Sequence, residues 1–230
     1  MQRLDKVLSD AGVATRKEIR NLVRSGQVMI DGVFASSPDQ KIDDNAELLV
    51  HGEPVERRRV VVIALHKPAG YLTATEDKYQ PTVMDLIPER YRKWDVAPVG
   101  RLDKATEGLL LLTNDGELAH RLISPRYDVE KVYYAEHEGT AEEDDIRAFA
   151  EGITLGDGTR CRPAVLEPLG PGKSRITVTE GKYHQVRRMM DARQLHINYL
   201  RREREGSLSL DGLALGEMTE IDPKIFDGLK

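Results

Sequence analysis

Apolar positions along this chain fall into distinct patterns, and each pattern predicts a different element. Leu4, Val7, Leu8 and Ala11 recur at i, i+3, i+4 and i+7, one face of a short helix that stops at Gly12. Thr15-Arg16-Lys17-Glu18 has the form of a capping box and opens a second helix, with Ile19, Leu22 and Val23 on its apolar side. Arg16, Arg20 and Arg24 recur every four residues, so they stack along one exposed stripe. Residues 27–30 and Val33 flank Asp31-Gly32, a strong hairpin signal. Residues 51–59 then mix glycine, proline and charge and read as a linker.

A different texture follows. Residues 60–65 and 109–112 are unbroken apolar runs, as in strands buried on both faces of a parallel or mixed sheet. The second run ends in Asn114-Asp115-Gly116, which is turn chemistry, and residues 116–123 continue as a helix stopped by Ser124-Pro125. Residues 131–135 are β-rich, and residues 175–179 alternate as a half-buried strand. Short helices are predicted over 82–87 and 183–192, and Thr140-Ala141-Glu142-Glu143 reads as a second capping box. Helices and strands mix without a regular βαβ alternation or an internal repeat. The expectation is an α+β fold in two domains, a small αα-β module over 1–57 and a mixed-sheet domain over 60–230.

Composition narrows the classes. The 230 residues are 40% hydrophobic, enough for packed cores. A single cysteine, Cys161, excludes an intramolecular disulfide framework and fits a reducing compartment. Its arginine neighbours, Arg160 and Arg162, favour a thiolate, but no catalytic partner accompanies it, and it reads as a bystander. No apolar segment approaches the roughly 18 residues of a membrane span, and a cytoplasmic location is expected. The formal net charge is −5, yet acids gather at residues 142–145 while bases gather at 16–24, 57–59 and 182–204. An acidic protein with locally basic faces can still bind phosphates.

Two segments concentrate candidate chemistry. Gly100-Arg101-Leu102-Asp103 sets one carboxylate on a loop just before the leucine run, where a rigid scaffold presents it. Asp103 either caps a turn or reacts. Glu180-Gly181-Lys182-Tyr183-His184-Gln185-Val186-Arg187-Arg188-Met189 brings helical spacing that groups Tyr183, Arg187 and Met190. Its bases either form a solvated face or send Arg187 inward to a carboxylate, and a guanidinium beside Asp103 suits a nucleophile rather than a general acid. His184 lacks partners at metal-ligand spacing, and the other histidines are scattered. No metal site is expected.

These residues resemble the bacterial ribosomal RNA pseudouridine synthases, in particular the small-subunit branch, over nearly the whole chain. The resemblance rests on Lys67-Pro68-Ala69-Gly70, on 100–116 with Thr106 and the leucine run, on Ser124-Pro125-Arg126 through Glu130-Lys131-Val132-Tyr133, and on 180–189. The N-terminal module is similar to the S4 RNA-binding domain. The resemblance implies that Asp103 is the nucleophile, that Tyr133 contacts the target base and assists proton removal, and that Arg187 pairs with Asp103. It implies that Val186 lines the base pocket and that Arg101, Lys67, His184 and Gln185 bind substrate. Arg16, Lys17, Arg20 and Arg24 are then phosphate contacts.

The implied activity is conversion of one uridine to pseudouridine without a cofactor, in 16S ribosomal RNA (uridine 516) or a pre-30S particle, by a monomer. Two segments depart from the family pattern: residues 193–197 and 201–206 are more charged than its apolar-rich Leu-x-Arg stretch, and Met218 stands where arginine is common. A large-subunit specificity and a non-catalytic ribosome-assembly role are the competing readings. A hydrolase using Asp103 and His184 is the weakest of them, since no oxyanion or metal apparatus accompanies the pair.

Overall fold

A computed structural model describes every residue except Asn45, 57–59 and 229–230. The chain packs as two compact units, Met1–Val60 with Glu89–Asp95, and Val61–Pro88 with Val96–Lys230.

The first unit contains β1 (Gln2–Arg3), α1 (Leu4–Asp10), α2 (Arg16–Arg24), β2 (Val28–Ile30), β3 (Val33–Phe34), β4 (Lys41–Ile42), β5 (Leu48–Val50) and β6 (Glu53–Pro54). The helix periodicity does what it predicts. Leu4, Val7, Leu8, Ile19 and Val23 bury together with Val28, Ile42, Leu48 and Val50 in one core. Thr15 accepts from Glu18 N–H, and Glu18 returns the bond to Thr15 N–H at 2.9 Å, closing the expected capping box. Asp31 (φ 49°) and Gly32 (φ 79°) make the tight turn of the β2–β3 hairpin. The linker reading needs correcting. His51 and Gly52 turn the chain so that β6 pairs back on β5, while residues 57–59 lie outside the described residues. The Glu89–Asp95 segment of this unit carries α3 (Glu89–Lys93).

The second unit is built on β7 (Val62–Lys67), β8 (Ala97–Val99), β9 (Glu107–Thr113), β10 (Lys131–His137), β11 (Val165–Gly170), β12 (Lys173–Val178), β13 (Ile197–Glu205), β14 (Leu208–Ser209) and β15 (Met218–Ile221). Among the described residues these form one nine-stranded mixed sheet in the order β11-β12-β10-β13-β9-β7-β15, with β14 on β13 and β8 on β9. The only parallel pairing within it is β13 on β9, and it spans two residue pairs, Arg201 with Glu107 and Arg202 with Gly108. Helices α4 (Gly116–Ile123), α5 (Glu143–Glu151) and α6 (Gln185–Asp191) complete the unit.

Why the leucine run is continuous is now clear. Leu109 and Leu111 join Val62, Ala64, Leu118, Leu122 and Phe226 in a core on one face, and Leu110 and Leu112 are equally buried on the other. Three sequence expectations shift in detail. The capping box expected to begin at Thr140 is instead Glu142 with Asp145, and Asp145 is buried against Arg193 at 2.7 Å. The helix expected from residue 183 begins at Gln185, so Tyr183 precedes it and is 76% exposed while Met190 is buried. Residues 82–87 form a single 3-10 turn, Val83–Leu86.

Candidate active site

Asp103 sits in the short loop between β8 and β9, and the loop is held from behind by Lys67. That side chain is wholly buried, and its ammonium donates to the carbonyl oxygens of Pro68 (3.0 Å), Asp103 (3.3 Å), Lys104 (3.3 Å) and Thr106 (2.8 Å). Burial lowers Lys67 to about 8, while the carboxylates of Glu107 and Asp103 pull the other way. Thr73 adds a second clamp, donating to Leu102 O at 2.8 Å and accepting from Leu102 N–H at 3.2 Å. Lys67 therefore shapes the loop that carries Asp103, with four carbonyls enclosing its charge.

The carboxylate of Asp103 is half-buried and faces two bases from the segment around α6. Arg187 Nε lies 3.8 Å from Oδ2 and His184 Nε2 lies 3.4 Å from Oδ1. Arg187 also donates to Ile197 O at 3.3 Å, which ties the guanidinium to the start of β13. His184 adopts a left-handed backbone (φ 48°) just before α6, and its ring stacks on Tyr183 at 3.9 Å between centroids. The other bases of this segment have acids of their own: Lys182 pairs with Glu180, Arg188 with Asp157 at 2.6 Å, and Arg193 with Asp145. Of the two alternatives for Arg187, the inward one is observed.

Gln185 has internal partners as well. It is buried, and its amide donates to Glu180 at 2.8 Å and accepts from Lys182 N–H at 2.9 Å. Glu180 also accepts from Arg162 N–H at 2.9 Å, so Gln185 braces the loop before α6. Cys161 is buried, and burial raises its thiol rather than its flanking arginines lowering it.

Asp103 opens onto a cleft of about 600 Å³ lined by Leu72, Arg101, Lys131, Tyr133, His184 and Arg202 among others. That size suits a nucleotide. A small recess beside it reaches Val178, Val186 and Leu200, so Val186 presents an apolar wall next to Asp103. Tyr133 borders both, and burial raises its phenol above the usual range while the charge of Arg202 opposes. Arg101 is exposed at the rim. Arg16, Lys17, Arg20 and Arg24 lie exposed on α2 of the first unit.

Sequence reasoning missed the floor of the cleft. Lys131, Arg202 and Glu205 are buried there, although residues 201–206 look like a solvated charge run. Leu200-Arg201-Arg202 is in fact a Leu-x-Arg stretch on a central strand, and that spacing was the available signal.

A carboxylate on a braced loop, a guanidinium aimed at it, an apolar wall and a buried phenol thus meet at one cleft. Comparison with known proteins gives the class. The sequence matches the RNA pseudouridylate synthase family over residues 61–192 and the S4 domain over residues 2–48. It is similar to an uncharacterized RNA pseudouridine synthase of Bacillus subtilis, YtzG, with 43% identity covering 95% of this chain and 94% of that protein. It is 36% identical to the ribosomal large subunit pseudouridine synthase B of Bacillus subtilis, covering 97% of this chain and 93% of that protein. It is also 36% identical to the ribosomal small subunit pseudouridine synthase A of Escherichia coli, covering 94% of each. A crystal structure of a pseudouridylate synthase superposes with a TM-score of 0.70 at 31% identity, covering all of both chains. The chain belongs to the RNA pseudouridylate synthase family, and it is an RNA pseudouridine synthase with an N-terminal S4 domain.

Proposed function

We propose that this enzyme isomerises one uridine of ribosomal RNA, in the small subunit and at uridine 516 by family resemblance, with Asp103 as its nucleophile. The observation that carries the reading is Asp103 at the mouth of a nucleotide-sized cleft, with Arg187 and His184 on its two oxygens and Tyr133 in the wall. The reaction breaks N1–C1′ and joins C5 to C1′, a redox-neutral rearrangement that calls for no cofactor. Arg187 holds the carboxylate in place, Val186 supports the uracil, and Tyr133 takes the C5 proton. The target must leave its stack to reach Asp103, at a cost of a few kcal/mol that basic and apolar contacts offset.

The relatives divide between subunits at equal identity, which makes a large-subunit uridine the second reading. Pseudouridine mapping of ribosomal RNA from cells lacking the gene, complemented by wild type or Asp103→Asn, decides between them. One position lost on deletion and restored by wild type alone fits the proposal, and its location names the subunit. Restoration by Asp103→Asn removes Asp103 as nucleophile.

The S4 unit supplies affinity by neutralising phosphates with Arg16, Lys17, Arg20 and Arg24. Replacing all four by alanine is expected to lower the slope of log affinity against log salt by roughly one for each phosphate that is no longer neutralised. An unchanged slope takes them out of the interface. The described residues contain no helix long and apolar enough to cross a membrane, and we place the enzyme in the cytoplasm as a monomer.

A further inference from the structure

Three charges are buried under Tyr133, and the catalytic reading leaves them without a task. Arg202 and Glu205 are each about 2% exposed in their side chains, with Arg202 Nη2 3.0 Å from Glu205 Oε2. Lys131 Nζ lies 3.9 Å from the other oxygen of Glu205 and donates to Val129 O at 3.3 Å. Arg202 Nε donates to Leu109 O at 2.7 Å. Two basic side chains face one acid in the protein interior, and burial lowers the Lys131 ammonium from its ordinary range. Such a cluster is expensive to desolvate and is weak evidence for stability, so packing alone does not account for it.

Strand geometry explains how the cluster comes to face one way. Residues three apart on a strand normally point to opposite faces. Along β13, Arg202 pairs with Tyr133 and Arg204 with Val132, so Glu203 is left over as a bulge. The bulge resets the phase and turns Glu205 to the same side as Arg202. On β10 their cross-strand partners are Lys131 and Tyr133, two residues apart and on one face. Lys131, Tyr133, Arg202 and Glu205 therefore form a square at the floor of the cleft that holds Asp103.

The chemistry asks for a cation at that spot. The net reaction removes a proton from C5 and puts one on N1. For Tyr133 to accept the C5 proton, its own hydroxyl proton must first have left, and N1 is where a proton is gained. Between the two transfers the side chain is a phenolate in a buried site, a state that burial alone resists. We propose that Arg202, fixed by Glu205 and Leu109 O and backed by Lys131, is a positioning residue that holds the Tyr133 oxygen and supplies the positive charge its transient phenolate needs.

This inference rests on the proposed role of Tyr133. The charged groups facing the phenol are Arg202, Glu205 and Asp103, and burial opposes its ionisation. In that setting the Arg202 charge sets how easily the proton leaves.

The test is single-turnover kinetics on a ribosomal RNA fragment carrying uridine or 5-deuterouridine, across pH, with Arg202→Gln and Arg202→Lys. Arg202→Gln is expected to slow turnover on the order of 100-fold while RNA affinity stays within about 3-fold. Its rate should reach a plateau at a pH about one unit or more higher, with a larger deuterium effect. Arg202→Lys keeps the charge and should recover most of the wild-type pH profile, and it decides the matter if Arg202→Gln does not fold. Two variants that lose rate equally, with the wild-type profile and isotope effect, overturn the proposal. Tyr133→Phe in the same assay separates the layers. Wild-type turnover by Tyr133→Phe removes the tyrosine from proton transfer altogether, whereas a slow Tyr133→Phe beside a wild-type-like Arg202→Gln sinks only the role of Arg202.

Discussion

Strands β9 and β13 lie side by side in the sheet, yet they are composed of opposite materials. β9 reads Glu-Gly-Leu-Leu-Leu-Leu-Thr and is buried on both faces by ordinary apolar packing. β13 reads Ile-Asn-Tyr-Leu-Arg-Arg-Glu-Arg-Glu, and it buries Leu200, Arg202 and Glu205 while its other residues stay partly or fully open. One strand is stabilised by removing hydrocarbon from water, at about 25 cal/mol per Å². The other must balance buried charges among themselves. The leucine strand gives the sheet its stability, and the charged strand shapes what lines the cleft.

The comparison breaks most sharply where the two strands meet. Gly108 has φ 114°, and a Cβ added there would lie 2.2 Å from Arg202 O and 2.4 Å from Arg202 N. Gly108→Ala is expected to cost about 4 kcal/mol or more, because strain and a clash with backbone coincide. Urea denaturation measures it, and a loss below about 1 kcal/mol would mean that the seam can open without harm.

Next come the two materials themselves. Glu205→Ala leaves Lys131 and Arg202 buried without their anion and should cost about 3–5 kcal/mol. Leu111→Ala removes only packing and should cost about 2–4 kcal/mol. The sharper difference lies in turnover per folded molecule, which falls in the first variant and stays at the wild-type level in the second. Equal activities would show that the charged strand is merely another way to fill a core.

The most gradual effect belongs to Lys67, spread over a pH range. The folded protein releases this proton near pH 8, whereas an unfolded lysine holds it to about 10.4. The unfolded state thus binds more protons between those values, and folding gains as pH rises through them. Below pH 8 the cost of the buried charge is present in full. Relative to Lys67→Gln, wild-type stability should climb across that window with a slope of at most about 1.4 kcal/mol per pH unit. A flat difference would mean that Lys67 titrates alike in both states.

The same contrast sets the limits of what was legible in the chain. Periodicity found α1 and α2, the leucine run found β9, and turn chemistry found the β2–β3 hairpin and α4, because each of these signals is local. The motif residues also led to Asp103 and to an inward Arg187. β13 escaped because its alternation is broken by the Glu203 bulge and its buried residues are those that usually face water. The internal partners of Lys67 and Gln185 were not legible either, because the carbonyls and the Glu180 carboxylate they bind lie elsewhere in the chain. A buried ammonium among carbonyls and an exposed one awaiting substrate look identical in one-letter code.

The two-pair parallel ladder between β9 and β13 carries one more consequence, and it concerns time. Asp103 enters the sheet through β9, while Tyr133, Arg187 and the charged floor belong to the β10–β13 side, and the sides join through a pairing that spans residues 108 to 202. Closing so long a loop is slow and comes late in folding. A growing chain therefore carries Asp103 for most of its synthesis apart from Arg187 and Tyr133. The candidate site comes together only when β13 joins β9.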